Sequence, residues 1–176
     1  MNRKIIAVLL VLVIASASAF ASIIQIGAYA EPTGWHMDDA LEYDYTDVGS
    51  YTFGGEARVN LAFLQAGITA GMPTSFDNLN GMVQASLISG PNVANVALGL
   101  GVPYIIEKDV EFKPETLLDA PLYLRAGVNV NLAFLGLSAT YLMPTSLTLN
   151  TITDLESIAP RPDDGKLSVA VFLNLL

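Results

Sequence analysis

The chain contains a single histidine, and its neighbours include residue types that support nucleophilic catalysis. His36 lies just before Asp38 and Asp39. A serine nucleophile needs a histidine base and a carboxylate that orients this base. The candidate hydroxyls are those of Ser50, Ser75 and Ser146. No spacing selects one of them, so the default interpretation is an exposed loop histidine. We therefore expect no catalytic residue, no enzymatic activity and no cofactor.

Carboxylates are concentrated in four segments and could bind divalent cations through oxygen ligands. Of the 17 acidic residues, all except Glu56 fall within 31–50, 73–80, 106–120 and 145–165. No segment has the D-x-D-x-D-G spacing that prearranges a calcium loop. The nearest fragments are Asp44 with Asp47, and Asp163-Asp164-Gly165. The sequence predicts no metal ligands, and we interpret the four segments as solvated loops whose charges repel one another.

Three charged residues lie well within the segments that separate these loops, away from the segment ends: Glu56, Arg58 and Arg125. If the segments form a ring of eight strands, all three side chains point inward. Buried charges need partners, so we predict that Glu56 pairs with an arginine across the lumen and plugs it. The alternative is a charged constriction that selects ions in a narrow pore. Many inward glycines favour the pore, but eight strands leave an interior only wide enough for side chains, which favours the plug.

The elements that position these charges are strands, because apolar residues alternate with small or polar ones between the acidic segments. We predict strands at about 22–30, 51–63, 66–72, 81–89, 93–105, 121–134, 137–144 and 166–176. Long acidic loops should follow strands one, three, five and seven. Tight turns should lie at Leu64-Gln65, Gly90-Pro91-Asn92 and Leu135-Gly136.

Residues 59–75 and 130–146 are identical at 11 of 17 positions. This repeat indicates either duplication of a four-stranded unit or similar selection acting on two hairpins.

The two faces of these strands differ in a way that favours a membrane over water. One face is apolar, and the other carries Gly, Ala, Ser, Thr, Asn and Gln, and the only charges on it away from the strand ends are the three named above. An uncharged apolar face suits lipid, and backbone groups in lipid must all be paired, so the sheet has to close. The predicted fold is all-β, an eight-stranded antiparallel transmembrane up-and-down β-barrel.

The placement of aromatic residues fits this prediction. Near the strand ends we expect two interfacial girdles, formed by Tyr51, Phe53 and Tyr104 at the loop end and by Phe63 and Phe134 at the turn end. The alternative is that they are ordinary aromatic residues favoured by β-propensity.

The first residues have the pattern of a secretory signal. Arg3 and Lys4 precede the apolar run Ile5–Ile14, and Ala17-Ser18-Ala19 and Ala19-Phe20-Ala21 both satisfy the cleavage rule. We predict a signal peptide at 1–21 and a barrel domain at 22–176; the alternative, an uncleaved anchor, is disfavoured by the shortness of the run. The mature charge is then 6 − 17 = −11, which argues against nucleic acid as a partner.

With these features, the mature chain resembles the small eight-stranded outer-membrane β-barrel proteins of diderm bacteria. The resemblance implies residence in the cell outer membrane after export, contact with its lipid, and insertion by the barrel-assembly machinery. The final strand, KLSVAVFLNLL, departs from the usual targeting pattern because it ends on Leu176 rather than on an aromatic residue. Some small outer-membrane barrels are lipid-modifying enzymes that use a loop-side histidine.

The expected function is non-enzymatic, with a structural or surface-interaction role through long acidic extracellular loops. One alternative is a narrow pore for small solutes or apolar molecules. Another is a secreted soluble β-barrel or sandwich that binds a ligand.

Overall fold

Over the residues that the structure describes, the fold consists of eight strands with almost no helix. The computed structural model describes residues 23–38, 40–73, 78–91, 93–107, 113, 115–152 and 159–175. The strands are β1 (Ile23–Pro32), β2 (Tyr51–Leu61), β3 (Leu64–Met72), β4 (Asn78–Ser89), β5 (Ala94–Glu107), β6 (Tyr123–Leu132), β7 (Leu135–Pro144) and β8 (Lys166–Leu175). A single helical turn, α1 (Thr116–Asp119), and two 3₁₀ turns (Val48–Ser50 and Leu149–Thr151) lie in the loops.

The strands form one closed antiparallel barrel in chain order. Each strand pairs with the next, and β1 pairs with β8 from Ile24↔Leu175 to Ala30↔Val169. Closure leaves no edge of unpaired backbone groups. The prediction of an all-β chain that closes into eight antiparallel strands is therefore confirmed.

The turns between β2 and β3 and between β6 and β7 lie two residues earlier than predicted. The predicted turn residues Leu64-Gln65 and Leu135-Gly136 belong to β3 and β7, where Leu64 pairs with Leu61 and Leu135 with Leu132. The turns are instead the two-residue connections Ala62-Phe63 and Ala133-Phe134. Ala62 and Ala133 have positive φ, 54° and 50°. Alanine gives no sequence signal for such a turn, because glycine and asparagine are the residues that usually adopt this conformation.

Of the four connections predicted to be long, three are long and one is short. Because β4 already begins at Asn78, the connection after β3 spans only residues 73–77, so the prediction of a long loop there is wrong. The connections after β1, β5 and β7 are long, as predicted. We refer to them as loop 1 (33–50), loop 3 (108–122) and loop 4 (145–165). The ends of the barrel are named accordingly the loop end and the turn end.

Side chains alternate strictly between the outside and the interior of the barrel. Outward-facing residues are apolar and exposed, for example Leu61 (52%), Leu98 (61%) and Val128 (53%). Inward-facing residues are mostly small or polar and are buried. No helix within the described residues is long and apolar enough to cross a membrane.

Candidate functional site

The turn end of the lumen is filled by a layer of hydrogen-bonded amides, which we call the amide layer. Its members come from five strands: Gln25, Asn60, Gln65, Asn131 and Asn174. The Gln25 Nε2 donates to Asn131 Oδ1 (2.9 Å) and to Asn174 Oδ1 (2.8 Å). Asn60 donates to Gln25 Oε1 (3.2 Å), and Gln65 donates to Asn60 Oδ1 (2.9 Å). Since β1 and β6 are not adjacent in the ring, the bond between Gln25 and Asn131 crosses the lumen, and the other three join neighbouring strands.

The next layer toward the loop end contains the three predicted lumen charges, and we call it the charged layer. Glu56, Arg58 and Arg125 are only 4%, 2% and 2% exposed. The carboxylate of Glu56 accepts hydrogen bonds from Arg58 Nε and Gln84 Nε2, both at Oε1. The ion pair thus joins neighbours on β2, and the predicted pairing of Glu56 across the lumen is not what the structure contains. In a strand, residues i and i+2 share a face, so the two side chains meet without crossing.

It is the arginines that cross the lumen. The Arg58 Nη1 donates to Asn129 Oδ1 on the opposite strand β6 (3.0 Å), and its guanidinium lies 4.2 Å from the centre of the Phe172 ring. Arg125 Nη1 donates to Gln65 Oε1 (3.2 Å) and Ser86 Oγ (3.0 Å), and its Nη2 donates to Thr140 Oγ1 (3.3 Å). The bond to Gln65 connects the charged layer to the amide layer.

Arg125 has no carboxylate among its described partners, and its buried Nε has no hydrogen-bond partner at all within that part of the chain. The charged layer contains one carboxylate and two guanidiniums, a net charge of −1 + 2 = +1. An uncompensated charge is costly to bury in a medium of low dielectric constant. The layer therefore favours an anion in its vicinity.

Between the charged layer and the loop end lies a cavity of about 960 Å³, which we call the upper cavity. Its floor includes Glu56, Arg58, Gln84 and Thr140. Tyr29, Met82, Tyr123 and Leu142 form walls within the strands, and Trp35 and His36 of loop 1 lie at its mouth. A cavity of this size matches those that hold small organic ligands.

Tyr29 occupies its place in the wall because a glycine lies beside it. The hydroxyl of Tyr29 lies close to Gly71, so a Cβ at that position would overlap this hydroxyl. Tyr29 is 8% exposed and packs with Ala170 and Phe172. One of the inward glycines that suggested an open pore therefore makes room for an aromatic ring instead.

Loops 1 and 4 each contact Tyr141 of β7 beside the mouth of the cavity. The Trp35 Nε1 donates to the Tyr45 hydroxyl (3.0 Å), and its ring meets Tyr141 edge-on at 6.2 Å. The Tyr141 hydroxyl donates to Pro162 O (2.5 Å). Lys166 bonds to Glu31 at 3.1 Å across the β1–β8 pair. These contacts anchor both loops to the barrel.

The five predicted interfacial aromatics occupy different positions. Tyr51 and Phe53 stack at 5.8 Å at the loop end of β2, and Phe53 is 47% exposed. Phe63 and Phe134 lie within the tight turns, beyond the strands on which they were predicted. Tyr104 lies on β5 opposite Gly81, where a Cβ would overlap its ring, and its hydroxyl donates to Thr69 O (2.7 Å).

The remaining candidates for chemistry are dispersed. The Nδ1 of His36 lies 2.9 Å from the backbone oxygen of Asp163, and no hydrogen bond joins it to Ser50 or Ser146 in the described part of the chain. Ser75 and Asp39 lie outside the described residues. In the ranges that the structure covers, no group of three His, Cys, Asp or Glu residues could hold a metal ion.

Asp44 and Asp47, the fragment considered for a cation, bond locally within loop 1. The Thr46 hydroxyl (2.6 Å) and backbone N–H (2.9 Å) both donate to Asp44 Oδ1, and Asp47 accepts from Gly49 N (3.0 Å). These hydrogen bonds lower the pKa of Asp44 below its usual value because they stabilise the charged form. Asp44 therefore stays negative at neutral pH.

Sequence reasoning did not identify the amide layer or the upper cavity. A usable signal was present for the former, since Gln or Asn occupies the inward position nearest the turn end in β2, β3, β6 and β8, and Gln25 of β1 pairs with Asn174. The cavity gave no such signal, because its walls combine inward strand residues with Trp35 of a folded loop.

No protein-family model, no curated protein and no solved structure matches this chain. The geometry of the barrel and its interior is thus the basis for assigning a function.

Proposed function

We propose that this protein is a non-enzymatic outer-membrane β-barrel with a plugged lumen, which presents its acidic loops to the environment in a structural or surface-interaction role. The observation that carries the proposal is the outer surface of the barrel. On all eight strands the outward positions hold no charged residue and no amide, whereas the inward positions hold Gln, Asn, Glu and Arg.

This distribution fits lipid better than water. Outward leucines, valines and isoleucines around the ring are about half exposed, including Ile26 (52%), Leu87 (59%), Leu173 (54%) and Val171 (50%). Soluble monomers rarely expose continuous apolar surface of this extent. Lipid tails would cover the band, and the closed sheet satisfies the requirement that no backbone group is left unpaired in the membrane.

The plug is supported by the two polar layers across the lumen. The amide layer and the charged layer are linked to each other by Arg125 and Gln65, and their side chains are mostly less than 10% exposed. An ion would have to break several of these hydrogen bonds to pass. The upper cavity therefore ends in a floor rather than continuing as a channel.

The loop end supplies the surface for interactions. Loop 1 contains five carboxylates, and those of Asp44 and Asp47 are held by local hydrogen bonds. Such a surface is strongly hydrated and repels other anionic surfaces. In the proposed topology it faces away from the cell.

The proposal is tested by refolding the protein with lipid and measuring two properties. We expect the folded protein to migrate differently in SDS before and after boiling, and to give no steady conductance steps in planar bilayers. Steady steps that disappear in Arg58→Ala or Arg125→Ala would instead establish a pore. A protein that folds in buffer without lipid and shows no heat-dependent mobility would establish a soluble barrel.

A further inference from the structure

The upper cavity has the features of a ligand pocket, which the proposed surface role does not explain. These features are the same whether the barrel lies in a membrane or in water. Its walls are largely apolar or aromatic, with Tyr29, Met82, Tyr123 and Leu142 from four different strands. It opens between loops at the loop end and is closed below by the charged layer. Pockets for small molecules have this composition: an apolar body with a few converging polar groups.

The charges at the mouth of the cavity are largely paired. Glu31 bonds to Lys166 at 3.1 Å, and Asp164 pairs with Arg161 at 3.4 Å. Glu107 and Lys113, of opposite sign, also line the cavity. These six residues balance, three acidic and three basic, while the carboxylates of Asp38 and Asp163 lie near Tyr141 beside the entrance. The uncompensated positive charge lies at the floor.

The floor of the cavity contains a guanidinium group, that of Arg58, with N–H donors that no described residue accepts. Arg58 is 2% exposed and lines the cavity, and its Nε and Nη1 are bonded to Glu56 and Asn129. No described residue accepts a hydrogen bond from its Nη2. Behind the floor, Arg125 donates to Thr140, which also lines the cavity, and adds a second positive charge without a carboxylate. A guanidinium in such a site favours a planar or tetrahedral oxyanion.

We propose that the upper cavity binds a small amphipathic anion, with its single carboxylate, sulfate or phosphate head on Arg58 and its apolar body against Tyr29, Met82 and Leu142. The head offsets the +1 charge of the charged layer, and the body displaces water from the apolar walls. The acidic loops slow the approach of such a ligand but lie outside the site, where salt screens their charge within about 8 Å.

The test compares two probes of equal chain length and opposite charge, octanoate and octyltrimethylammonium. Each is titrated by calorimetry into the refolded protein in zwitterionic nanodiscs, with empty nanodiscs subtracted. Trp35, the single tryptophan of the chain, lies at the cavity mouth and provides a fluorescence readout of the same titration. We expect one saturable octanoate site and at least tenfold weaker binding of the cation. Equal binding, preferred binding of the cation, or no saturable octanoate site would overturn the proposal.

A double substitution locates the head group. Glu56→Gln with Arg58→Gln removes the donor while leaving the net charge of the layer at +1, so we expect octanoate to bind at least tenfold more weakly, the usual size of a lost charge-assisted hydrogen bond. Glu42→Gln, which removes a charge at an exposed loop 1 residue that does not line the cavity, should leave binding unchanged. Unaltered binding in the double variant would refute the role of Arg58. The comparison of the two probes needs no variant and remains decisive if the double variant does not fold.

The result of the ligand titrations can be distinguished from the result of the test of the proposed function. If the protein proves to be soluble, the same titrations run in buffer without nanodiscs, and if it conducts ions, the preference for octanoate is still measured directly.

Discussion

At the scale of the residue, the ion pair of Glu56 and Arg58 is the most demanding feature of the interior. Both side chains are nearly inaccessible, and each has further neutral partners, Gln84 and Asn129. A buried pair adds little net stability relative to apolar residues, but removing one partner leaves a buried charge unpaired. The contribution of the pair to stability is therefore best measured by substituting one of its two residues.

We expect Arg58→Gln to lower the free energy of unfolding by about 3–5 kcal/mol, because Glu56 then keeps its charge with only Gln84 as a donor. Adding Glu56→Gln should recover part of this loss, since the unpaired charge is removed. Urea unfolding followed by Trp35 fluorescence measures both variants.

A matched control for this pair is Arg161→Gln, which breaks an ion pair whose side chains are more than half exposed and should cost at most about 1 kcal/mol. If the double variant loses as much stability as Arg58→Gln and Glu56→Gln lose in sum when each is made alone, the pair is not energetically coupled.

At the scale of the element, the two hairpins of the repeat differ from expectation at their turns. The sequence correctly predicts that two strands meet at each of these sites. It places the turn two residues late because Phe63 and Phe134 continue the apolar alternation beyond the strand end. Only the positive φ of Ala62 and Ala133 identifies the turn, and alanine does not reveal that conformation in a sequence.

We expect Ala62→Gly and Ala133→Gly each to raise the free energy of unfolding by about 0.5–1 kcal/mol, because glycine adopts positive φ without the penalty that a Cβ incurs. Ala66→Gly, in the middle of β3, serves as the matched control and should lower it by a similar amount. Equal effects at turn and strand would show that the turn conformation stores no strain.

At the scale of the whole molecule, the membrane proposal makes a quantitative prediction for the outer face. Val128 lies in the middle of β6, is 53% exposed, and pairs with Val96 and Ala139. In lipid, Val128→Lys should cost about 2–4 kcal/mol, because the ammonium group enters the hydrocarbon region. Unfolding from lipid vesicles measures this cost.

Val48→Lys makes the same substitution at a 66% exposed site in loop 1 and should change stability by no more than about 0.5 kcal/mol. If both substitutions are equally mild, the outer face of the barrel meets water.

The architecture could be predicted from the sequence much further than the interior could. Period-2 alternation determines which side chains face inward, and the side chains of Glu56, Arg58 and Arg125 are buried inside the barrel. It does not determine which inward groups bond to each other, because partners such as Gln25 and Asn131 are distant in the chain and depend on strand register. The alternation also gives no information about Trp35, since this residue lies in a loop.

The pairing of β1 with β8 has a consequence for how the barrel forms. The other seven strand pairings each join two strands that are consecutive in the chain. In the β1–β8 pairing, Ile24 and Leu175 are separated by 175 − 24 = 151 residues. Hairpins of adjacent strands can nucleate locally, but this seam incurs the loop entropy of almost the whole domain. The seam therefore forms last, and until β8 is synthesised the growing sheet has two open edges that must be shielded from other chains.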